Sequence, residues 1–384
     1  MAGTGRTGGI TRRLAGLTVQ PRHGQFHAIN SGSAELVRRR FRVGYVGWVP
    51  HPAFLETAAL DPDLEIVPIA MDQPESAMIQ TLSSCHGYYV MAARDELPKA
   101  LHVHAELLSK LPNLLVAASY GAGYDTCDPR ACTGAGVLLL NQAGGNAEGV
   151  AEHAVGMMLA CLKRMPEAHA AMKAGRAADR NALIGRDIKG MTVGLVGCGN
   201  VGRRTAEILQ KAFGCRILAC DPDVELAAME ALGIEKRPLE TLLIEADVIS
   251  VHCPLTDETR GLIGADAFAA MKPGVVFVTT ARGSIHDEAA LLEALNSGHV
   301  ASAGLDVWAQ EPPPVDHPLL AHPAVIASQH TAGVTRQSRV KITRIAAEAF
   351  SDLAAGRMPP RIINPAVLPT WRQRYEAALG QPIS

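Results

Sequence analysis

No stretch of this chain approaches the ~20 consecutive apolar residues that a bilayer-spanning helix needs, so no membrane partner is expected. Charge of one sign is scarce as well. The 36 basic residues against 38 acidic ones leave a formal net charge of −2, without the basic excess that holds a nucleic acid. Cysteine pairing is missing too: the eight cysteines (85, 127, 132, 161, 198, 215, 220, 253) show no CxxC pair and no regular spacing. Several fall inside predicted strands or helices, where a free thiol acts as a small apolar side chain. They read as reduced thiols of a cytoplasmic protein rather than a disulfide frame, and no metal-ligand set is expected. Residues 1–40 have no lysine and one acid, Glu35, but seven arginines. That composition suits an organelle transit peptide, an unstructured leader or an overlong start, and the lack of an apolar stretch there argues against a secretory signal. A disordered leader over residues 1–40 is the expectation.

What the chain does have is room for two domains in 384 residues and one informative stretch. Residues 194–202 read Gly-Leu-Val-Gly-Cys-Gly-Asn-Val-Gly, and Asp221 stands nineteen residues beyond the last glycine. Met191–Val196 is an apolar run of strand type. Gly197 permits a tight turn, Gly199 lets the backbone approach a pyrophosphate, and Gly202 lets the next helix pack close to the strand. That helix, from Val201 to about Phe213, would aim the unpaired N–H groups of its first turn, including those of Asn200 and Val201, at phosphate oxygens. Arg216–Cys220 reads as the next strand, with Asp221 at its tip. A carboxylate there accepts from a ribose 2′-OH and repels a 2′-phosphate. Strand, glycines, helix, strand and acid in this order point to a bound dinucleotide, NAD rather than NADP.

Upstream, the strand-like runs Arg42–Trp48, Leu64–Ile69, Gly87–Met91, Leu114–Ser119 and Gly136–Leu140 alternate with helical segments, as in a parallel sheet covered by helices. A long helix is expected from Ala147 to Ala174, apolar at Val150, Val155, Met158, Leu159 and Leu162. The dinucleotide unit continues through strands at Asp247–His252, Val275–Thr279, Ser302–Asp306 and Val325–Ser328. A further helix is predicted over Val334–Gly356, then an extended proline-rich tail over Pro359–Pro365. The periodicity leaves open which of the two domains that last helix covers.

Three charged groups lie just past predicted strands: Arg282 in Thr-Ala-Arg-Gly, Glu311 in Ala-Gln-Glu-Pro-Pro, and His330 in Ser-Gln-His-Thr-Ala-Gly. Groups beyond the carboxyl ends of strands line the ligand crevice of an open α/β sheet. Together they are what reduction of a keto acid requires. A guanidinium holds a carboxylate in a fixed fork, an imidazole gives or takes the hydroxyl proton, and a carboxylate orients the imidazole and stabilises its cation. Asp306 ends a strand on the same rim, where it either accepts from a carboxamide N–H or caps the following loop. Ser119–Asp125 (Ser-Tyr-Gly-Ala-Gly-Tyr-Asp) would expose consecutive backbone N–H groups to a substrate carboxylate, or be an ordinary glycine turn.

With these motifs in order, residues 42 to 365 resemble the D-isomer-specific 2-hydroxyacid dehydrogenases. Gly121-Ala-Gly-Tyr-Asp125 resembles the family's first-domain glycine loop, which implies Ala122 and Gly123 as substrate-binding positions beside Arg282. Asn141–Glu152 resembles the crossing between domains. His252-Cys-Pro-Leu-Thr256, with Thr259, resembles the segment near the cofactor ribose, bringing in Cys253 and Pro254. Thr280-Ala-Arg-Gly283, Glu311-Pro312 and Gln329-His330 carry the family's arginine, glutamate and histidine, and the resemblance adds Thr280, Ala281, Asp306 and Gly333 to the cofactor-binding set. It implies two Rossmann-like, doubly wound parallel-sheet α/β domains, the first split by the inserted NAD-binding domain: 41–146 plus 336–384 for substrate, 147–335 for NAD. It also implies NAD-linked hydride transfer between a 2-keto and an (R)-2-hydroxy acid, and a homodimer paired through the cofactor domain.

This sequence departs from the family at several points. Gln329 replaces the usual proline before the histidine, which predicts a less stiff loop. Thr280 replaces an asparagine, removing a supporting hydrogen bond. His286 replaces an aliphatic residue and reads as a packing or supporting histidine, not a catalytic one. Met91-Ala92 stands where phosphoglycerate dehydrogenases carry an Arg-Ser pair for the phosphate, and no regulatory domain is seen after the last helix; both argue against 3-phosphoglycerate. Formate dehydrogenases carry glutamine in place of Glu311, so Glu311 favours hydroxy-acid chemistry over a formate or phosphite dehydrogenase. An NAD-sensing, corepressor-like binding protein is the other alternative, opposed by the complete Arg282–Glu311–His330 set. Tyr120, Tyr124, Met91, Arg94 and Trp308 are the candidates for shaping the substrate pocket.

Overall fold

The computed structural model describes residues 40–175 and 180–384; the leader expected over residues 1–40 thus lies, Arg40 apart, outside the described residues. Two parallel sheets organise the chain. The first comprises β1 (Phe41–Val46), β2 (Leu64–Ile69), β3 (Gly87–Val90), β4 (Val116–Ser119) and β5 (Leu138–Leu140) in the order β2-β1-β3-β4-β5. The second comprises β6 (Thr192–Val196), β7 (Arg216–Cys220), β8 (Glu235–Lys236), β9 (Val248–Val251), β10 (Val275–Thr279), β11 (Val300–Leu305) and β12 (Val325–Ala327) in the order β12-β11-β10-β9-β6-β7-β8. Every residue of β3, β4, β9 and β10 is buried, which is why these strands are continuous apolar runs rather than alternating ones. The strand order reverses between β1 and β3 in one sheet and between β6 and β9 in the other. Those reversals are the places where an open α/β sheet leaves a ligand crevice at its carboxyl edge.

The core of the first sheet includes residues from the far end of the chain. Ala346, Ala347, Phe350 and Leu353 of the Arg336–Ala354 helix, and Trp371 and Tyr375 of a final helix, Leu368–Leu379, pack with Phe41, Val43, Tyr89 and Val116. Trp371 Nε1 donates to the Leu115 carbonyl at 2.7 Å, and Asn364 Oδ1 accepts from the Leu139 N–H at 2.8 Å.

Two expectations need correcting. The predicted helix over 147–174 is two helices, Ala147–Leu162 and Met165–Lys173, with Arg164 between them in the left-handed region at φ 52°. Pro166 accounts for the break: it lacks an N–H and clashes with a preceding turn, so it is tolerated only where a helix starts afresh. The extended segment over 359–365 is also not the end of the structure. The Leu368–Leu379 helix follows, its core signal being the widely spaced apolar positions 368, 371, 375 and 379, with polar residues 372–374 and 376 among them. The two-residue strand β8 was not anticipated. Among the described residues no helix is long and apolar enough to cross a membrane, and no group of three or more His, Cys, Asp or Glu could hold a metal ion. All eight cysteines are free thiols.

Candidate active site

The glycine turn after β6 is built by close approach. Gly197 has φ 102°, and a Cβ there would stand 2.5 Å from the Cys253 backbone nitrogen, so both conformation and space demand glycine. The Asn200–Phe213 helix follows, with Gly199 as its N-cap and no side chain capping the first turn. A Cβ on Gly199 would point into open space. Val201 is half-buried and Gly202 buried beneath the turn. Asp221 lies just past β7, its Oδ2 accepting from the Cys198 N–H at 2.7 Å and its Oδ1 from the Asp223 N–H at 3.0 Å. Each oxygen keeps unused acceptor capacity. Uncapped helix N–H groups, an open glycine and a fixed carboxylate fit a dinucleotide's pyrophosphate and ribose.

Other residues of the expected cofactor set lie on loops that follow strands of the same sheet. Cys253 and Pro254 follow β9; burial pushes the Cys253 thiol up to about 11, so it stays protonated. Thr259 Oγ1 donates to the Pro254 carbonyl at 2.7 Å. Thr280 and Ala281 follow β10, and the buried Thr280 hydroxyl finds no partner among the described residues. Gly333 lies against Asn146 and Val150.

Arg282, at the end of β10, is bound to the first sheet's glycine loop. Its Nε lies 3.2 Å and its Nη2 3.0 Å from Asp125 Oδ2, and Nη1 donates to the Ala281 carbonyl at 2.6 Å. The guanidinium lies against Gly123, so that a Cβ there would displace Arg282 Nη2. Ser119 Oγ donates to the Gly123 carbonyl and Asn141 Nδ2 to the Ala122 carbonyl at 2.7 Å, which fixes the loop's peptide orientation.

His330 Nδ1 is 2.8 Å from Glu311 Oε2. The Glu311 hydrogen bond raises the imidazole's pKa above its ordinary value, burial opposes this, and the Glu311 charge adds to the rise. Glu311 is held below the usual carboxylate range: burial pushes it up, but the hydrogen bond and charge of His330 and the Trp308 N–H outweigh that. The Arg282 charge acts on both members of the pair, which brings the three separated residues into one electrostatic neighbourhood.

His330 has φ 48°, a left-handed backbone that a non-glycine residue adopts at a cost of about 1 kcal/mol or more. Asp306 holds it there. Its carbonyl accepts from the His330 N–H at 2.7 Å, and its fully buried carboxylate accepts from Ser328 Oγ at 2.6 Å, Thr331 N–H at 2.8 Å and Ala332 N–H at 3.0 Å. The Asp306 carboxylate thus caps the loop after β12 rather than the loop that follows Asp306 itself. It also supplies a constraint on the loop where Gln329 lacks proline's. His153 Nε2 meets Ser328 Oγ at 3.0 Å; since Ser328 donates to a carboxylate, His153 is the donor in that contact. Trp308 braces the loop from the other side, its N–H donating to Glu311 Oε1 at 3.1 Å and its indole Nε1 to the Ser328 carbonyl at 3.0 Å.

Sequence reasoning did not find Asp125 as the partner of Arg282, nor His153, Ser328 and Trp308 as supports. Asp125 stood inside the glycine motif, but its partner is 157 residues away. His286 lies buried beside Phe277, their rings 5.6 Å apart.

Residues 155–332 match the family model described as D-isomer specific 2-hydroxyacid dehydrogenase, NAD binding domain. The chain is 39% identical over 269 residues to the D-3-phosphoglycerate dehydrogenase of Archaeoglobus fulgidus, covering 70% of this chain and 51% of that protein. It is 37% identical over 272 residues to the glyoxylate reductase of Aeropyrum pernix, covering 69% of this chain and 81% of the relative. The chain thus spans about half the length of the phosphoglycerate dehydrogenases it matches. The crystal structure of the TT0316 protein from Thermus thermophilus superposes with a TM-score of 0.72 at 31% identity, covering 84% of this chain and 99% of that one.

Proposed function

Because this chain belongs to the D-isomer specific 2-hydroxyacid dehydrogenase family, we propose that it interconverts a 2-oxo acid and the corresponding (R)-2-hydroxy acid with NAD as cofactor. The observation that carries the reading is the His330–Glu311 pair at 2.8 Å within the field of Arg282. A bound nicotinamide would supply or accept the hydride equivalent. The turn at Gly197, Gly199 and Gly202, the first turn at Asn200 and Val201, and Asp221 would hold the dinucleotide, with Cys253, Pro254, Thr259, Thr280, Ala281 and Gly333 lining its crevice.

Arg282 and the Ala122–Gly123 peptides would hold the substrate carboxylate. Two of the five guanidinium N–H groups are engaged by Asp125 and one by Ala281, which leaves one on each terminal nitrogen for a carboxylate. In the reducing direction His330 would donate its proton to the oxygen at C2 as the carbonyl becomes a hydroxyl. Glu311 would favour the charged imidazole before transfer, and the reverse reaction would use the neutral ring as base. Residues 41–146 with 336–384 would form the substrate unit and 147–335 the cofactor unit; the core shared by β1, β3 and β4 with Phe350, Trp371 and Tyr375 supports this division. Exposed Met165, Met172 and Ile184 suit a homodimer paired through the cofactor unit.

The test is NADH oxidation by the purified protein with a panel of 2-oxo acids. Turnover of at least one supports the assignment, and cofactor binding without turnover of any would replace it with a binding role.

A further inference from the structure

At the carboxyl edge of the first sheet stand side chains that the proposed proton and carboxylate chemistry does not use. Gly47 and Trp48 follow β1, Met71 lies two residues past β2, and Met91 directly follows β3. This edge borders the reversal between β1 and β3, a ligand-binding place in open α/β sheets. Trp48 is 41% exposed and Met71 36%. The Trp48 ring meets Tyr120 edge-on at 5.9 Å, the Tyr120 hydroxyl donates to the Trp48 carbonyl, and the Arg339 guanidinium lies 5.7 Å from the indole centroid. The methyl groups of Met71 and Met91 converge on Gly47, 3.1 and 3.3 Å from where its Cβ would be.

This wall adjoins both catalytic loops. Tyr120 leads directly into the Gly121–Asp125 loop that Arg282 touches, and Arg339 lies in the first turn of the helix that follows the His330 loop. Two nearby cations are tied down at one atom each: Arg339 donates to the Pro50 carbonyl at 3.2 Å, and Arg94 Nε donates to the Asp125 carbonyl at 3.0 Å. Among the described residues, the wall consists of an indole and two thioethers, not of a forked pair of cations like those that hold a phosphate. An indole edge and thioether methyls instead gain by covering flat or branched hydrocarbon.

We propose that the substrate is a 2-oxo acid with a bulky, uncharged apolar substituent, aromatic or branched alkyl, received against Trp48 and Met71 with Met91 behind them. The proposal rests on the 2-hydroxyacid reading above. Steady-state NADH oxidation tests it with phenylpyruvate, 4-methyl-2-oxopentanoate, pyruvate, glyoxylate and 3-phosphohydroxypyruvate, in the full chain and in Trp48→Ala and Trp48→Phe. A bulky apolar acid should exceed glyoxylate in kcat/KM by about tenfold or more, the worth of one well-covered apolar group. That ratio should fall about tenfold in Trp48→Ala and be largely kept in Trp48→Phe. Preference for glyoxylate or 3-phosphohydroxypyruvate, or a ratio unmoved by Trp48→Ala, overturns the side-chain assignment and leaves the dehydrogenase reading standing. Silence toward all five acids overturns both.

Discussion

Arg282 lies side-on to Asp125, its Nε and Nη2 at 3.2 and 3.0 Å from one carboxylate oxygen, so the end of β10 is tied to the loop after β4. The pair joins two parallel sheets through the one cation proposed to hold the substrate. An aspartate here could orient the guanidinium or compete with the substrate for it, and the two roles move KM in opposite directions. Two terminal N–H groups are left over, which favours orientation. Asp125→Asn should therefore raise KM for a 2-oxo acid about tenfold, the scale of a charge-assisted hydrogen bond discounted for partial exposure, with a smaller effect on kcat. A lowered KM would show that Asp125 competes with the substrate; an unchanged one would remove it from the site.

The His330–Glu311 hydrogen bond predicts a pH profile. His330 titrates above its ordinary value because Glu311 accepts from it, so the imidazolium needed for reduction persists to higher pH. Replacing Glu311 by Gln removes that charge, and the alkaline limb of kcat/KM for 2-oxo acid reduction should move to lower pH. His330→Ala should cost about 10²–10⁴-fold in turnover with NADH affinity nearly intact. The stability linkage has the matching sign. The raised His330 pKa stabilises the fold below the unfolded value and ceases to as pH rises through the folded one, whereas the lowered Glu311 pKa stabilises it above the unfolded value and is lost on acidification. A Glu311→Gln profile superimposable on that of the parent would detach the carboxylate from the proton transfer.

Asp221 should decide between the two nicotinamide cofactors. It also accepts from the Cys198 N–H at 2.7 Å within the glycine turn, so its removal loosens a structure that serves NADH and NADPH alike. The informative quantity is consequently the ratio of dissociation constants. Asp221→Ala should weaken NADH by about tenfold, one or two hydrogen bonds' worth, and NADPH distinctly less, since a 2′-phosphate no longer faces a carboxylate. Equal losses in a fluorescence titration would reduce Asp221 to a turn-stabilising residue.

The parts of this molecule that sequence displays are those in which one short segment carries the whole physical reason. The turn at 197–202 needs glycine at Gly197 for its backbone angle, and β9 and β10 are apolar throughout because both faces are covered. Arg282, Glu311 and His330 were visible because each follows a strand on one edge of one sheet. The supports were not. Asp125 and Arg282 meet across two sheets, and His153 reaches Ser328 from a helix 175 residues earlier; no local period encodes such contacts. The final helix hid for a related reason: Trp371 and Tyr375 enter the first sheet's core while most of their neighbours stay in water.

Two histidines outside the proton-transfer pair should set the acid limit of the fold. Both ring nitrogens of His252 and of His286 are buried without a hydrogen-bond partner among the described residues, and burial holds each pKa down at about 4. In the unfolded chain each would titrate near ~6.5. Between these values the unfolded state binds the additional proton, so stability falls as pH drops from ~6.5 toward the folded value and levels off below it. A shift of this size corresponds to about 3 kcal/mol per ring as an upper figure. The nearby Glu288 and Asp287 charges raise the His286 pKa but do not overcome burial. His286→Leu places an apolar side chain of similar volume beside Phe277. It should leave Tm at pH 7.5 within a few degrees of the parent while reducing the loss of Tm between pH 6.5 and pH 5. Chemical denaturation at the two pH values would give the same difference in free energy. An acid limb equally steep in His286→Leu would assign the proton uptake to other groups, His252 first among them.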